Sequence, residues 1–156
     1  MRIVLDTNIL ARAASGPPSP AAEVLQLSLA PPHILCVSPF LISELSRVLR
    51  YERVRRIHGM SDQVIDQFLQ DLQTASLMVE PDPDKSVAVV VADPDDDQIV
   101  ATAIAASADV LCTLDRHLRI PAVVSHCQQN GIAILSDVEL LQRLKSPPAG
   151  AIVDLD

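Results

Sequence analysis

The stretch Ile3-Val4-Leu5-Asp6-Thr7-Asn8, close to the start of the chain, decides the fold. Three consecutive apolar residues are typical of a short buried strand. Asp6 follows them directly and would therefore lie at the carboxyl end of that strand. An aspartate there is also a common helix N-cap, worth about 1 kcal/mol, so for Asp6 alone a capping role and a functional role are equally good interpretations.

The same pattern of a short apolar run followed by a longer helical stretch recurs along the chain. The predicted strands are residues 3–5, 34–37, 77–79, 110–112 and 132–135. Strands separated by helices indicate an α/β fold, here a three-layer α/β/α sandwich with a central parallel sheet. Right-handed crossovers place the carboxyl ends of all strands at one edge, where ligands bind. We predict one domain over residues 1–145 and a C-terminal tail over residues 146–156.

Composition limits the class of protein. A chain of 156 residues that is 49% hydrophobic forms a domain with a real core. The net charge of −8 on its own disfavours nucleic acid as a partner, because phosphates favour basic surfaces. Three scattered cysteines argue against a disulfide framework or a zinc site. No apolar run reaches the ~18 residues that span a bilayer, and no secretory signal is evident, so we expect a cytoplasmic protein with no membrane contact.

Glu44 lies in the apolar stripe of its own predicted helix. Leu41, three residues before it, and Val48, four residues after it, share its face. An ionised carboxylate in such a place destabilises the fold by several kcal/mol unless it is paired or binds a metal. A buried ion pair with Arg47 is the structural alternative. We favour a functional acid.

Residues 93–97 form an acidic run in which four of five residues are aspartates. Negative charge at a helix N-terminus is favourable by ~0.3–1 kcal/mol, which explains one or two of them. Four acids so close together repel one another unless a cation lies between them. We predict a helix that begins near Asp97, with Asp97 pointing inward because Val100 and Ala101 continue an apolar face, and with Asp96 as the cap.

Asp115 follows the apolar run 110–114 and therefore lies at another strand end, although a simple turn residue is the alternative. In a parallel sheet the acids at strand ends and helix starts would meet Glu44 at one edge. Carboxylates gathered there imply an oxygen-ligated cation, Mg²⁺ or Mn²⁺. The predicted catalytic residues are Asp6, Glu44, Asp97 and Asp115. The four histidines, His117 included, show no ligand spacing and are interpreted as surface or packing residues.

Five segments that together cover nearly the whole chain resemble the PIN-domain ribonucleases, above all the toxins of bacterial type II toxin–antitoxin systems. These segments are 3–8, 43–45, 93–103, 108–118 and 132–141. They keep the four acids in order. The chain departs from the family pattern at Leu114, where glycine is frequent, and at His117, where a further acid is common. Its acidic run is also longer.

The resemblance implies cleavage of single-stranded RNA with Mg²⁺ (or Mn²⁺), with Asp6 and Asp97 as the principal metal ligands. Glu44 and Asp115 would complete the acid cluster. The side chains that would orient the cluster through hydrogen bonds are Thr7, Asn8 and Thr113. The resemblance also implies a homodimer and, for a toxin, an antitoxin protein that blocks the site.

Five arginines are clustered within the twelve residues after Glu44, at positions 47, 50, 53, 55 and 56. They would hold RNA phosphates beside the acids, with Arg47 and Arg50 as the first candidates. A solvated helix face is an equally good interpretation.

The mechanistic hypothesis is in-line attack of an activated water on a phosphodiester, with the metal held by Asp6 and Asp97. On this assignment, Asp97→Asn abolishes Mg²⁺-dependent RNA cleavage and leaves the fold intact. Two alternatives stay open. One is an α/β phosphohydrolase with Asp6 as a covalent nucleophile, for which Asn8 stands where a second acid is commonly needed. The other is a non-catalytic binding module that keeps the acids only for structure.

Overall fold

A computed structural model of the chain describes residues 1–83 and 94–146. Asp93 of the acidic run lies outside the described residues. So does the predicted C-terminal tail beyond Ser146.

A parallel sheet of five strands forms the centre of the described domain, as predicted. The strands are β1 (Arg2–Leu5), β2 (Ile34–Val37), β3 (Leu77–Met78), β4 (Val110–Cys112) and β5 (Ala133–Leu135). Their order across the sheet is β3-β2-β1-β4-β5. The central strand β1 pairs with β2 and β4, so that Ile3 lies opposite both Leu35 and Val110.

Helices pack on both faces of this sheet, which confirms the three-layer α/β/α sandwich. Eight α-helices lie within residues 1–83 and 94–146: α1 (Thr7–Ala14), α2 (Pro20–Leu29), α3 (Pro39–Leu49), α4 (Glu52–His58), α5 (Asp62–Ala75), α6 (Pro94–Ala105), α7 (Pro121–Gln129) and α8 (Asp137–Lys145). A short 3₁₀ helix spans Arg116–Leu118. Among these elements none has the length and apolar character that crossing a membrane requires.

The core is built from the inward residues of the strands and the apolar stripes of the helices. Ile3, Val4 and Leu5 of β1 are fully buried, and Val110, Leu111 and Cys112 of β4 are buried beside them. Strands buried on both faces appear in the sequence as continuous apolar runs, which is why a run of only three residues was enough to locate β1. All three cysteines are free and buried.

The ends of β1 and β2 and the starts of the helices that follow them lie at the carboxyl edge of the sheet. Asp6 continues β1 by donating its backbone N–H to Cys112 (2.9 Å) and then caps α1. Ser38 caps α3 after β2, and its hydroxyl is 2.8 Å from that of Thr102 on α6. This buried hydroxyl pair joins α6 to the start of α3 and so fixes two of the helices that surround the edge.

Helix α8 begins with a capping box in which Ser136 accepts from the backbone N–H of Glu139 (3.1 Å) and Glu139 accepts in return (3.2 Å). We expect Ser136→Ala to lower the free energy of unfolding by about 1 kcal/mol, because a backbone donor loses its partner. Urea unfolding of the variant checks this. Ser125→Ala, on the exposed face of α7, is the control and should leave stability within about 0.5 kcal/mol of the wild type.

Candidate metal centre

A small open pocket of about 180 Å³ lies at the carboxyl edge of the sheet. Its lining residues are Asp6, Thr7, Asn8, Phe40, Glu44, Arg47, Val48, Asp96, Ile99 and Asp115. Three of the four predicted acids therefore lie around one pocket, and Asp96 stands there as the fourth acid.

Asp6 is held rigidly at the bottom of this pocket and is only 5% exposed. One carboxylate oxygen accepts from the backbone N–H of Thr7 (2.7 Å), and the other accepts from the hydroxyl of Thr113 (2.7 Å). Burial raises the pKa of Asp6, and the charge of Asp115 adds to the rise, while the two hydrogen bonds oppose it. Asp6 therefore caps α1, which was one of its two predicted roles. Because burial disfavours its ionised form, a nearby cation would stabilise that form.

Thr113 connects two of the acids. Its buried hydroxyl donates to Asp6 and accepts from the backbone N–H of Asp115 (3.0 Å). The residue thereby orients one acid and positions the turn that carries the other. Thr7 acts on Asp6 through its backbone N–H rather than its side chain, and Asn8 lines the pocket.

We expect Thr113→Val, which keeps the shape of the side chain but removes the hydroxyl, to weaken binding of Mn²⁺ by about 10- to 100-fold. Groups behind metal ligands typically have effects of that size. Calorimetric titration with Mn²⁺ checks it. The matched control is Thr102→Val, another buried threonine whose hydroxyl bonds to Ser38 and not to an acid. An equal loss of Mn²⁺ affinity in both variants would contradict the role given to Thr113.

Among the described side chains of the acidic run, Asp96 lines the pocket, whereas the sequence pattern favoured Asp97 as the inward-pointing acid. Asp96 is 8% exposed and lines the pocket, whereas Asp97 is half-buried and lies outside the described lining. Helix α6 begins at Pro94, so both aspartates lie within it and its buried face decides between them. Asp96 is then in phase with Ile99, Val100 and Ala103, all buried, and shares their face.

Asp115 lies just beyond the end of β4, as predicted, and it contacts His117. Its carboxylate accepts from the backbone N–H of His117 (2.9 Å), and the imidazole Nδ1 lies 3.6 Å from the same oxygen. One ligand atom each from Asp96, Asp115 and His117 lies within 4.8 Å of the others. The interpretation of His117 as a plain surface residue missed this cluster. The signal in the sequence was its position two residues after an aspartate that ends a strand, where an Asx turn folds the chain back.

Glu44 forms the ion pair that was the structural alternative for it. A guanidinium nitrogen of Arg47 contacts both carboxylate oxygens, at 2.5 and 2.7 Å. The Glu44 side chain is 20% exposed, so it is partly rather than fully buried. The ion pair with Arg47 is sufficient to explain why the fold tolerates a carboxylate at Glu44 on this face of α3. Glu44 lines the pocket all the same.

Most of the five arginines at positions 47–56 are paired with acids. Besides Arg47, Arg50 pairs with Asp66 (2.5 Å) and Asp62 (3.6 Å). The remaining two pairs are Arg55 with Asp62 and Arg56 with Glu52. Arg53 has no ion pair within the described residues. It lines a second groove of about 390 Å³ together with Arg12 of α1, and this groove shares Asn8, Val48 and Asp115 with the acidic pocket.

The donor set of the pocket suits a hard divalent cation. Carboxylate oxygens are the ligands that Mg²⁺ and Mn²⁺ prefer, and a rigid buried carboxylate such as Asp6 lowers the reorganisation that binding requires. The residues placed to hold such an ion are Asp6, Asp96 and Asp115, with His117 at their side. A cation there would stabilise the ionised form of Asp6 that burial disfavours.

Comparisons with known proteins give a family and a fold. The family described as PIN domain matches residues 2–117. The fold is similar to that of a chain in the crystal structure of VapBC2 from Rickettsia felis bound to a DNA fragment from their promoter, with a TM-score of 0.58 and 16% identity. That likeness covers 87% of this chain and 98% of the other. No curated protein matches the sequence.

Proposed function

This chain belongs to the PIN domain family, and from that premise we propose that it is a Mg²⁺- or Mn²⁺-dependent endoribonuclease that cleaves phosphodiester bonds of single-stranded RNA. The observation that carries the proposal is the convergence of Asp6, Asp96, Asp115 and Glu44 on one small pocket at the carboxyl edge of the sheet. Acids gathered so closely serve phosphodiester chemistry once a divalent cation offsets their charge.

The four acids have different roles in the proposed site. Asp6, fixed by Thr7 and Thr113, and Asp96, at the start of α6, are the principal metal ligands in our proposal. Asp115 completes the set of ligands in our proposal, and the paired Glu44 and Arg47 also line the pocket. A bound cation would polarise the phosphate, lower the pKa of a water and stabilise charge on the leaving oxygen. Asp97, beside Asp96, adds negative charge near the start of α6.

We propose that RNA phosphates bind first to Arg12 and Arg53 rather than to Arg50. The reason is that Arg50 is already paired with two acids, whereas Arg12 and Arg53 have no ion pair within the described residues and flank the groove beside the acidic pocket. Arg47 lines the pocket and would reach a phosphate only by loosening its contact with Glu44.

The double variant Arg12→Gln/Arg53→Gln should weaken binding of a single-stranded RNA oligonucleotide by roughly tenfold and reduce the slope of log affinity against log salt concentration by about 1.4, since each lost phosphate contact removes about 0.7. Fluorescence anisotropy at several salt concentrations, with the ion replaced by Ca²⁺ to slow cleavage, measures both. Arg56→Gln, which removes an exposed arginine paired with Glu52, is the control. Equal losses in the control would show that only net charge matters.

The test of the proposed function is cleavage of a labelled single-stranded RNA with Mg²⁺, repeated with EDTA and with an aryl phosphate ester as substrate. We expect RNA cleavage that EDTA abolishes, and no release of phosphate from the ester. Hydrolysis of the ester without RNA cleavage would favour a phosphohydrolase instead, and neither activity, together with no bound cation, would favour a binding module.

We further propose that the chain is the toxin of a toxin–antitoxin system, that it acts in the cytoplasm as a homodimer, and that an antitoxin blocks its pocket. The support is the order of its sequence motifs and the likeness of its fold to a chain of the VapBC2 structure. Induced expression of the chain in a bacterial host should arrest growth, and Asp96→Asn should not. Equal growth of the two cultures would argue against toxicity.

A further inference from the structure

His117 stands beside the acids at a distance that suits a metal ligand. Its imidazole and the carboxylates of Asp96 and Asp115 each place a ligand atom within 4.8 Å of the other two. A backbone hydrogen bond supports this arrangement, because the N–H of His117 donates to the carboxylate of Asp115 and stabilises the turn that contains His117. The ring is 56% exposed, so neither packing nor burial accounts for its position.

A nitrogen ligand changes which cation a site prefers. Mg²⁺ favours an octahedral shell made entirely of oxygen, much of it water. First-row transition-metal ions accept imidazole more readily than Mg²⁺ does, and Mn²⁺ among them also binds carboxylates and water well. A site with Asp96, Asp115 and His117 is thus chemically different from one with a third carboxylate at position 117.

We propose that His117 is a nitrogen ligand of the metal centre and makes the site select Mn²⁺ over Mg²⁺. This inference rests on the proposed function, since it concerns the same pocket. It assigns a role to a residue at which the chain departs from the acid-rich pattern of the proteins that it resembles. The species that the site would bind is the free divalent cation.

The test is direct detection of the nitrogen by pulsed electron paramagnetic resonance of the Mn²⁺-loaded full chain. We expect coupling between Mn²⁺ and a ¹⁴N nucleus in the wild type and its loss in His117→Ala. The variant keeps the backbone hydrogen bond to Asp115 and the fold. His126→Ala, on α7 and outside the cluster of Asp96, Asp115 and His117, is the matched control and should keep the coupling.

Calorimetric titrations with Mn²⁺ and Mg²⁺ give a second readout from His117→Asp, which replaces nitrogen with oxygen. The ratio of the Mg²⁺ to the Mn²⁺ dissociation constant should fall by roughly tenfold in this variant. Mn²⁺ bound without nitrogen coupling, or an unchanged ratio in His117→Asp, would overturn the role of His117 and leave the nuclease proposal standing. Failure of the wild type to bind either ion would overturn both.

Discussion

Asp96→Asn is expected to reduce Mg²⁺-dependent cleavage of single-stranded RNA by at least about 100-fold, because even residues behind a metal ligand change affinity or activity by about 10- to 100-fold. Asparagine keeps the size of the side chain and removes the charge that would hold the cation. Asp96 is buried against the pocket, so the loss should appear in cation affinity as well as in turnover.

Asp97→Asn is the matched control, since it removes the same charge one residue further along α6. We expect it to retain most of the activity, with a small loss of helix stability from the weaker interaction with the helix dipole. Both variants are compared in one assay with saturating RNA and a series of Mg²⁺ concentrations. Loss of activity in Asp97→Asn with Asp96→Asn still active would restore the assignment that the sequence alone suggested.

Asp6→Asn should lose RNA cleavage to a similar extent and, in the absence of metal, should be more stable than the wild type at neutral pH. Burial raises the pKa of Asp6 above its ordinary value, so the folded state holds its proton more tightly than the unfolded state does. The resulting stabilisation is complete below the unfolded pKa and disappears as pH rises through the folded pKa. At neutral pH, where the unfolded chain is ionised at this position, burial of the carboxyl group therefore lowers the stability of the wild type, and the asparagine variant has no such loss.

Thermal unfolding in EDTA, at neutral pH and again well below the ordinary pKa of aspartate, measures this difference. The advantage of Asp6→Asn should be present at neutral pH and vanish in acid. Added Mn²⁺ should reverse the order, because a ligand at 100 times its dissociation constant stabilises the folded protein by about 2.7 kcal/mol and the variant would not bind it. A metal-free wild type more stable than Asp6→Asn at neutral pH would contradict the account of Asp6.

Local patterns were enough to predict the strands and the edge of the sheet. The run Ile3-Val4-Leu5 and the run 110–112 are short and apolar, and each ends at a polar residue, Asp6 and Thr113, so the sequence itself marks where β1 and β4 end. Proline and serine at helix starts, as at Ser38-Pro39, mark the helices in the same way.

The sequence alone could not predict which of Asp96 and Asp97 lines the pocket. Both have apolar residues three and four positions further along, so periodicity allows either, and only the packing of α6 in the fold, which buries Ile99, Val100 and Ala103, distinguishes them. The partners of Arg50 depend on packing of α3 against α5, because Asp62 and Asp66 belong to that other helix. Pairings of that kind cannot be inferred from spacing along one helix.

The most direct test of the proposed metal centre is a crystal soaked in Mn²⁺, with the ion located by its anomalous scattering. The account predicts a peak in the pocket, in contact with the carboxylates of Asp6 and Asp96 and with Asp115 beside it. A peak bound to Asp97 instead, a peak outside the pocket, or no peak at all would contradict it.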